Sequence, residues 1–362
     1  MTDRTSLAET FRRFGEIEAA GQLSPLYVAL SAIVATDPDL LELASHAPAG
    51  QPPPNLLFAA VHYLLEAQRE HPLAVYYPSV GGPGAVDDEL GAAFRRFCAA
   101  NRDEIARLMR TRLVQTNEVR RSACLLPAFA AVADDAGGAS LALIEIGPSA
   151  GLNLLFDLYA YDYGAGLNAG AEHSTVRLDC DARGTLQPRD VVLPKVASRI
   201  GIDINPLDVG DERDVRWLRA LIWPEHEDRR RLLEAAVKLA RRDPPLLISP
   251  DLFGALPGLL ALVPPGTAPC LFATMVLNQF TPEMRARLRS TLEAAGRAKP
   301  VYLSVMGFSE FATGVRVAAE ANTHVWLLRF GPAGSHARLV ADCSPHGRWL
   351  EYQRDSQWRP LA

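Results

Sequence analysis

The segment 141–151, Leu-Ala-Leu-Ile-Glu-Ile-Gly-Pro-Ser-Ala-Gly, places an acidic side chain beside a turn of small residues. Glu145 stands near the end of an apolar run, and Gly147, Ser149 and Gly151 follow it. A turn without large side chains lets the backbone approach a ligand closely. A carboxylate here disfavours a pyrophosphate and favours a ligand with an ammonium or sulfonium charge. The segment therefore predicts a strand, a turn that binds a nucleotide-like cofactor, and a helix after it.

Polar side chains also follow three later apolar runs. Asp203 comes after the second strand candidate, where it could accept hydrogen bonds from both hydroxyls of a ribose. Asp251 follows the third, where it could meet an adenine amino group, and Asn278 follows the fourth. Open α/β sheets bind ligands at the carboxyl ends of their strands, so we expect these positions to share one edge. The candidate cofactor-binding residues are Glu145, Gly147, Ser149, Gly151, Asp203 and Asp251.

The order of apolar runs predicts the elements that position these side chains. From residue 141 onward, short runs alternate with helical segments, which is typical of a mostly parallel sheet with helices on both faces. The last two runs are separated only by a turn at 331–334, so the sheet should end in an antiparallel hairpin. Strand-like segments at about 160–198 predict an inserted β-hairpin. This insertion would explain why Asp203 lies farther than the usual ~20 residues from the glycine turn.

The first part of the chain shows helical periodicity without two-residue alternation. We therefore expect an α-helical cap or substrate domain over residues 1–115. An α/β, Rossmann-like domain should follow over residues 116–362. In this arrangement the cap would build the substrate site over the carboxyl edge of the sheet.

Several polar residues are candidates for contact with a substrate. His62 lies on an otherwise apolar helix, and Tyr76 and Tyr77 lie on a loop rich in proline and glycine. The simpler interpretation is a hydrogen-bonded core histidine and tyrosines that pack the loop. Asn117 is most simply a helix N-cap, although its segment could line a pocket. The predicted substrate-binding residues are His62, Tyr76, Tyr77, Glu118 and Asn278.

Composition bounds the class of protein. The 362 residues, 48% of them hydrophobic, suffice for the cores of one large or two smaller domains. A net charge of -5 provides no general basic field for nucleic acid. The five cysteines include no closely spaced pair, so we expect a reducing compartment. Cysteines and histidines lack the spacing of metal ligands, so we expect no bound metal. The start lacks an apolar signal segment, and no run approaches ~20 apolar residues, so a cytoplasmic protein without a membrane span is expected.

Two motifs resemble those of the S-adenosylmethionine-dependent methyltransferases with a Rossmann-like fold. The stretch from Glu145 to Gly151 is similar to their first motif, with Ser149 in place of the middle glycine, and Gly201-Ile-Asp203-Ile is similar to their second. The terminal hairpin is similar to the antiparallel end of that fold. The resemblance implies S-adenosylmethionine as the cofactor.

The chain as a whole resembles a bacterial family, the domain of unknown function numbered 2332. That resemblance spans nearly the full length and implies a fold without a substrate. The residues that carry it lie at 115–118, 145–156, 201–208, 215–224 and 346–350.

The sequence thus favours a methyltransferase that acts on a small molecule. Methyl transfer is an in-line displacement that depends on alignment, so it needs no conspicuous catalytic motif. It needs no general base if the acceptor is already nucleophilic. One alternative is a binding protein that kept the fold and lost the chemistry.

A serine hydrolase is the other alternative. The stretch Gly147-Pro-Ser-Ala-Gly151 matches the G-x-S-x-G pattern of a nucleophile elbow, with Ser149 as the nucleophile. Asp251 and either His324 or His346 follow in the required order. Against this hypothesis, Pro148 directly precedes the nucleophile, and the acidic residue at the end of the strand has no role in it.

Overall fold

The computed structural model divides the chain into two compact units. The structure describes residues 4–307, 323–354 and 356–361. One unit comprises Met1–Thr116 with Asp211–Arg231, and the other comprises Asn117–Gly210 with Leu232–Ala362. We expected residues 211–231 in the second domain, but they group with the first unit.

The α-helices of the described residues are named in chain order. They are α1 (Arg4–Arg13), α2 (Pro25–Thr36), α3 (Pro38–Ala44), α4 (Pro53–Leu65), α5 (Leu90–Ala100), α6 (Arg102–Thr111), α7 (Arg121–Asp135), α8 (Glu212–Ala220), α9 (Glu227–Ala240), α10 (Leu252–Ala261) and α11 (Pro282–Gly296). A π-helical turn, Phe14–Ala19, and two 3-10 helices, Pro72–Tyr76 and Pro78–Val80, complete the helices of the first unit. Proline occupies the first turn of α2, α3 and α4, where no intrahelical amide bond is lost. No helix in the described part combines the length and apolar composition needed to cross a bilayer.

Aromatic packing explains why residues 211–231 belong to the first unit. The ring of Trp223 lies 5.6 Å from that of Phe14 and 5.5 Å from that of Tyr27, and the ring of Tyr27 lies 4.7 Å from that of Phe58. Trp217 on α8 is fully buried, and its indole N–H donates to the carbonyl of Leu113 at 2.9 Å. Burial of two tryptophans fixes this segment against the N-terminal helices.

The strands lie in the second unit. They are β1 (Leu141–Ile146), β2 (Ala160–Asp162), β3 (Asn168–Gly170), β4 (Arg177–Asp179), β5 (Asp181–Gly184), β6 (Val196–Ile202), β7 (Leu246–Ile248), β8 (Ala268–Thr274), β9 (Val301–Gly307), β10 (Thr323–Gly331), β11 (Gly334–Cys343), β12 (Trp349–Tyr352) and β13 (Arg359–Pro360). Among the described residues, ten of these strands form one sheet, in the order β5-β12-β11-β10-β9-β8-β1-β6-β7 with β13 beside β11.

The central strands run parallel. Strands β7, β6, β1, β8 and β9 pair in parallel, which is the third-second-first-fourth-fifth order of a doubly wound sheet. The order reverses between β1 and β8, so the topological switch point lies there. Strands β10 and β11 form an antiparallel hairpin that closes between Gly331 and Gly334. The predicted mixed α/β fold, with a large and mostly parallel sheet and an antiparallel hairpin, is confirmed.

Helices cover both faces of this sheet. On one face, α10 and α11 pack on apolar side chains of β1, β8, β9 and β10, among them Ile146 and Trp326. On the other face, Phe129 of α7 lies 5.2 Å from the ring of Phe272 and 4.4 Å from that of Phe156. Successive strand residues alternate between these faces, so Glu145 projects on the α7 side.

The segment predicted as an inserted hairpin at 160–198 is built differently. Strands β2 and β3 pair antiparallel, but β4 joins β2 in parallel, and the three form a separate small sheet. Strand β5 instead pairs with β12 at the edge of the main sheet. A 3-10 helix, Pro188–Val191, lies between β5 and β6. A local pattern cannot reveal the partner of β5, because that partner lies far along the chain.

A substitution at Gly201 tests how closely the sheet packs beneath the turn. A Cβ at Gly201 would lie 2.6 Å from both Pro148 Cγ and Leu247 Cδ2. Gly201→Ala should therefore destabilise the protein by about 1–3 kcal/mol in urea unfolding. Gly258→Ala in α10 is the matched control, because a Cβ there has nothing within 4 Å. Equal stability of Gly201→Ala and the wild type would contradict the packing.

Candidate functional site

The turn after β1 depends on three left-handed residues. Gly147, Ser149 and Gly151 have φ values of +69°, +56° and +73°. A Cβ at Gly147 would lie 2.6 Å from Val276 Cγ2, and one at Gly151 would lie 2.8 Å from Pro245 Cγ. Glycine at both positions is thus required by the backbone conformation and by space.

Asp203, predicted to bind a ribose, holds the turn in place. Its Oδ2 accepts the amide of Ser149 at 2.8 Å, and its Oδ1 accepts the amide of Asn205 at 2.8 Å. The amide of Asp203 donates in turn to the carbonyl of Ile248. Each carboxylate oxygen has two acceptor positions, so Asp203 retains capacity for a further donor.

The chain after the turn differs from the helix expected over 152–159. Residues Leu152–Leu158 form a 3-10 helix with a non-helical backbone at Leu155. Its start is fixed from outside, because Asn117 Oδ1 accepts the amide of Leu152 at 3.0 Å. Ser122 Oγ donates to Asn153 Oδ1 at 2.9 Å. Asn117 therefore supports the turn and is not the cap of a helix at 118, since α7 begins only at Arg121.

Glu145 is the most unusual group near the turn. It is 1% exposed, and within the described residues its Oε2 has no hydrogen-bond partner. Burial raises the pKa of this carboxyl well above its usual value, and the charge of Asp203 raises it further, whereas Arg121 opposes the shift. Arg121 is held by a 2.9 Å hydrogen bond from its Nε to the carbonyl of Pro345. A buried carboxyl with an unused oxygen is poised to accept a donor or a cation.

Glu118, a predicted substrate-binding residue, lies close to the turn that leads into β12. It is buried, and its Oε2 lies 3.5 Å from Nδ1 of His346. A Cβ at Gly347 would lie 2.4 Å from the carbonyl oxygen of Arg120, so this turn packs directly on the chain before α7. Parts of two stretches that carry the family resemblance, 117–118 and 346–350, thus meet in the second unit. Sequence reasoning missed Arg121 and the structural role of Asn117, and the only signal was their closeness to those stretches.

Asp251 and Asn278 follow β7 and β8, as predicted. The exposed Asp251 caps α10, because its carboxylate accepts the amide of Gly254 at 2.7 Å. Asn278 lies in a 3-10 helix, Val276–Gln279, and its Oδ1 is 3.1 Å from the position of a Cβ on Gly307. Asn278 therefore lies near the carboxyl ends of both β8 and β9, beside the switch point.

The other predicted substrate residues lie in the first unit. His62 is 1% exposed, and its Nδ1 lies 3.1 Å from the carbonyl oxygen of Ala220, so Nδ1 carries the proton. Its Nε2 accepts from Ser79 Oγ at 2.7 Å. Burial lowers the pKa of His62 to about 4, so the ring is neutral near pH 7. His62 therefore has the contacts of a hydrogen-bonded core histidine.

Tyr76 and Tyr77 are both buried in the first unit. The Tyr76 hydroxyl donates to Asp87 Oδ1. The Tyr77 hydroxyl has no hydrogen-bond partner among the residues the structure describes, and its ring lies 5.5 Å from that of His62. These contacts match the loop packing that was the simpler interpretation.

Metal ligands were not expected, and the described ranges contain no group of three or more His, Cys, Asp or Glu placed to hold a metal ion. The five cysteines are buried and carry free thiols.

Comparison with known proteins identifies the family. The model of DUF2332, an uncharacterized protein family conserved in bacteria, matches residues 8–352, and the chain belongs to that family. No curated protein and no solved structure matches the chain.

Replacement of Glu145 tests whether this buried carboxyl destabilises the folded protein. Because its pKa is raised in the folded state, its stabilising contribution is lost as pH rises through that pKa. Glu145→Gln should therefore raise Tm, by roughly 2–4 °C per kcal/mol gained, and by more at pH 8 than at pH 6.

Asp342→Asn is the contrasting variant, because Asp342 contacts His324 and accepts from Gln353 at 2.9 Å. It should lower stability by about 1–3 kcal/mol. Thermal unfolding at both pH values measures the two effects. A lower Tm for Glu145→Gln at both would show that Glu145 serves the fold.

Proposed function

We propose that this member of the DUF2332 family binds S-adenosylmethionine where β1 and β6 end and transfers its methyl group to a small molecule. The observation that carries the proposal is the buried carboxyl of Glu145, whose Oε2 has no partner among the described residues. An acceptor of this kind, beside the carboxylate of Asp203, favours a ligand with a cationic group. When bound, S-adenosylmethionine supplies an electrophilic methyl group on a sulfonium.

The turn argues against a dinucleotide. A pyrophosphate is typically held at the start of a long α-helix, where free amides and the helix dipole favour negative charge. Here the turn leads into a seven-residue 3-10 helix, and the buried carboxyl of Glu145 and the carboxylate of Asp203 lie beside it. Both features disfavour an anion and favour a cationic ligand.

The remaining groups fit the other parts of the cofactor. Gly147 and Gly151 permit the left-handed backbone of the turn that the cofactor would contact. Asp203 keeps acceptor capacity for a ribose hydroxyl after it has bound two amides. The parallel strand order, with its switch point between β1 and β8, supports a Rossmann-like methyltransferase fold.

The acceptor is proposed to be a small molecule, without nucleic acid or membrane as a partner. Asn278 is the best-placed of the predicted acceptor residues, because it lies at the carboxyl end of β8 beside the switch point. The contacts given above for the other four predicted residues lie within the unit to which each belongs: His62, Tyr76, Tyr77 and Glu118. Free thiols at all five cysteines are compatible with a reducing, cytoplasmic location.

A serine hydrolase is the second candidate. The φ of +56° at Ser149 favours it, because a nucleophile elbow is a strained turn after a strand. Two contacts disfavour it. Asp251 caps α10, and His324 contacts Asp342 on the neighbouring strand, not Asp251. A protein that binds the cofactor without chemistry would share the cofactor site and differ only in turnover.

Isothermal titration with S-adenosylhomocysteine tests the cofactor assignment, with NAD as the control ligand. We expect micromolar affinity for the nucleoside and none for NAD. Asp203→Ala should abolish binding because the turn loses its anchor, and Glu145→Gln should weaken it at least about tenfold. Binding of a cationic ammonium favours ionised Glu145, so affinity should rise with pH and a proton should be released.

Glu283→Gln is the matched control, since Glu283 is an exposed carboxylate in the first turn of α11. It should bind like the wild type. Failure of the folded wild-type protein to bind S-adenosylhomocysteine would refute the cofactor assignment. Labelling of Ser149 by a fluorophosphonate would then favour the hydrolase.

A further inference from the structure

His324 and Asp342 form a buried pair on neighbouring strands. They lie opposite each other in the register of β10 and β11, and Nδ1 of His324 contacts Oδ1 of Asp342. The second carboxylate oxygen accepts from Nε2 of Gln353 at 2.9 Å. His324 is 2% exposed, so its ring is held in one orientation by its surroundings and by a fixed carboxylate.

This contact determines the tautomer of the imidazole. An ionised carboxylate only accepts, so Nδ1 of His324 carries a proton and Nε2 presents a lone pair. Within the described residues, no hydrogen bond engages that Nε2. His62 provides the contrast, because both of its ring nitrogens are engaged, by Ala220 and Ser79. A base oriented by a carboxylate, with its other nitrogen available, is the arrangement that proton transfer requires.

The pair lies at the edge of the sheet that the proposed cofactor would use. His324 is in register with Gly307, the last residue of β9, and Asn278 lies beside Gly307. Strands β8 and β9 separate β10 from β1, which is about 14 Å at the usual strand spacing. His324 projects on the face of Trp326, and Glu145 projects on the opposite face. A single ligand would therefore contact both groups at the carboxyl edge of the sheet, where the two faces meet.

We propose that His324, oriented by Asp342, is the general base of this protein. The methyl acceptor is then a molecule whose nucleophilic atom carries a proton, such as an alcohol, a phenol or a ring N–H. The inference rests on the proposed methyl transfer, and it excludes acceptors that need no deprotonation, such as a tertiary amine or a thioether.

The step balances without a further reactant. The acceptor's O–H or N–H bond breaks, and its proton forms a bond to Nε2 of His324. The acceptor's electron pair bonds to the methyl carbon as the carbon–sulfur bond breaks, and that pair stays on sulfur. Asp342 accepts from the Nδ1–H of the resulting imidazolium and stabilises its charge.

Carbethoxylation by diethyl pyrocarbonate, mapped by mass spectrometry on the full chain, tests the state of Nε2. The reagent acylates an imidazole nitrogen that has a free lone pair. We expect His324 to react in the folded wild type. His62 should not react, because both of its ring nitrogens are in hydrogen bonds. Asp342→Asn presents an amide that can donate to Nδ1, so Nε2 becomes protonated and the rate at His324 should fall at least about tenfold. His336, on the same hairpin, is the internal control and should react equally in both proteins.

The same samples are titrated with S-adenosylhomocysteine, which separates the two proposals. A reactive His324 with no nucleoside binding would overturn the methyltransferase and leave the base in place. Nucleoside binding with an unreactive His324 in the folded wild type would overturn the base. If Asp342→Asn is unfolded by circular dichroism, the wild-type labelling alone decides.

Discussion

The hydrogen bond from the Ser149 amide to Asp203 fixes the geometry on which the site depends. It joins the turn after β1 to the end of β6 at 2.8 Å, beside the 2.9 Å hydrogen bond from the Gly147 amide to the carbonyl of Ile202. Asn117 fixes the far side of the same turn at Leu152. With both ends held, Glu145 stays beneath the turn in a position where water does not solvate it. The turn is therefore organised before any ligand arrives, which lowers the entropic cost of binding.

The buried carboxyl of Glu145 is unfavourable for the fold, and we propose that it serves ligand binding. Burial and the charge of Asp203 both raise the pKa of Glu145, and Arg121 compensates only in part. Proteins retain such groups at functional sites, where a ligand supplies the missing partner. The buried carboxylate of Asp342, in contrast to Glu145, has a partner at each oxygen, because it contacts the imidazole of His324 and accepts from Gln353. One edge of the sheet thus carries Glu145, whose Oε2 has no hydrogen-bond partner among the described residues, and His324, whose Nδ1 contacts Asp342.

Local patterns predicted much of the fold. Runs of apolar residues located β1, β8 and β9 because buried parallel strands are continuously apolar. Apolar runs also located β6 and β7, which are more exposed. Gly-Pro-Ala-Gly located the hairpin at 331–334, and the spacing of small residues located the turn after β1. The short 3-10 helix at Leu152–Leu158 and the pairing of β5 with β12 were not predictable, because contacts from distant residues determine both.

The candidate site was predictable only in part, for the same reason. Glu145 and Asp203 stood out because an acid at the end of an apolar run is unusual. Asn117 and Arg121 did not, since their roles arise from folding the chain before α7 onto the turn. For His62 the simpler interpretation was a core histidine, and its two hydrogen bonds agree with that interpretation. Residue type alone does not reveal whether a polar group has found its partner within the protein.

The most direct test of this account is a carbon-13 titration of the Glu145 carboxyl, with and without S-adenosylhomocysteine. The resonance is assigned by its loss in Glu145→Gln. We predict that in the free protein it titrates well above the ordinary value of 4.5, and that the nucleoside converts it to the ionised form at constant pH. A pKa of Glu145 near the ordinary value, with no response to the nucleoside, would contradict the proposal that Glu145 binds a cationic ligand.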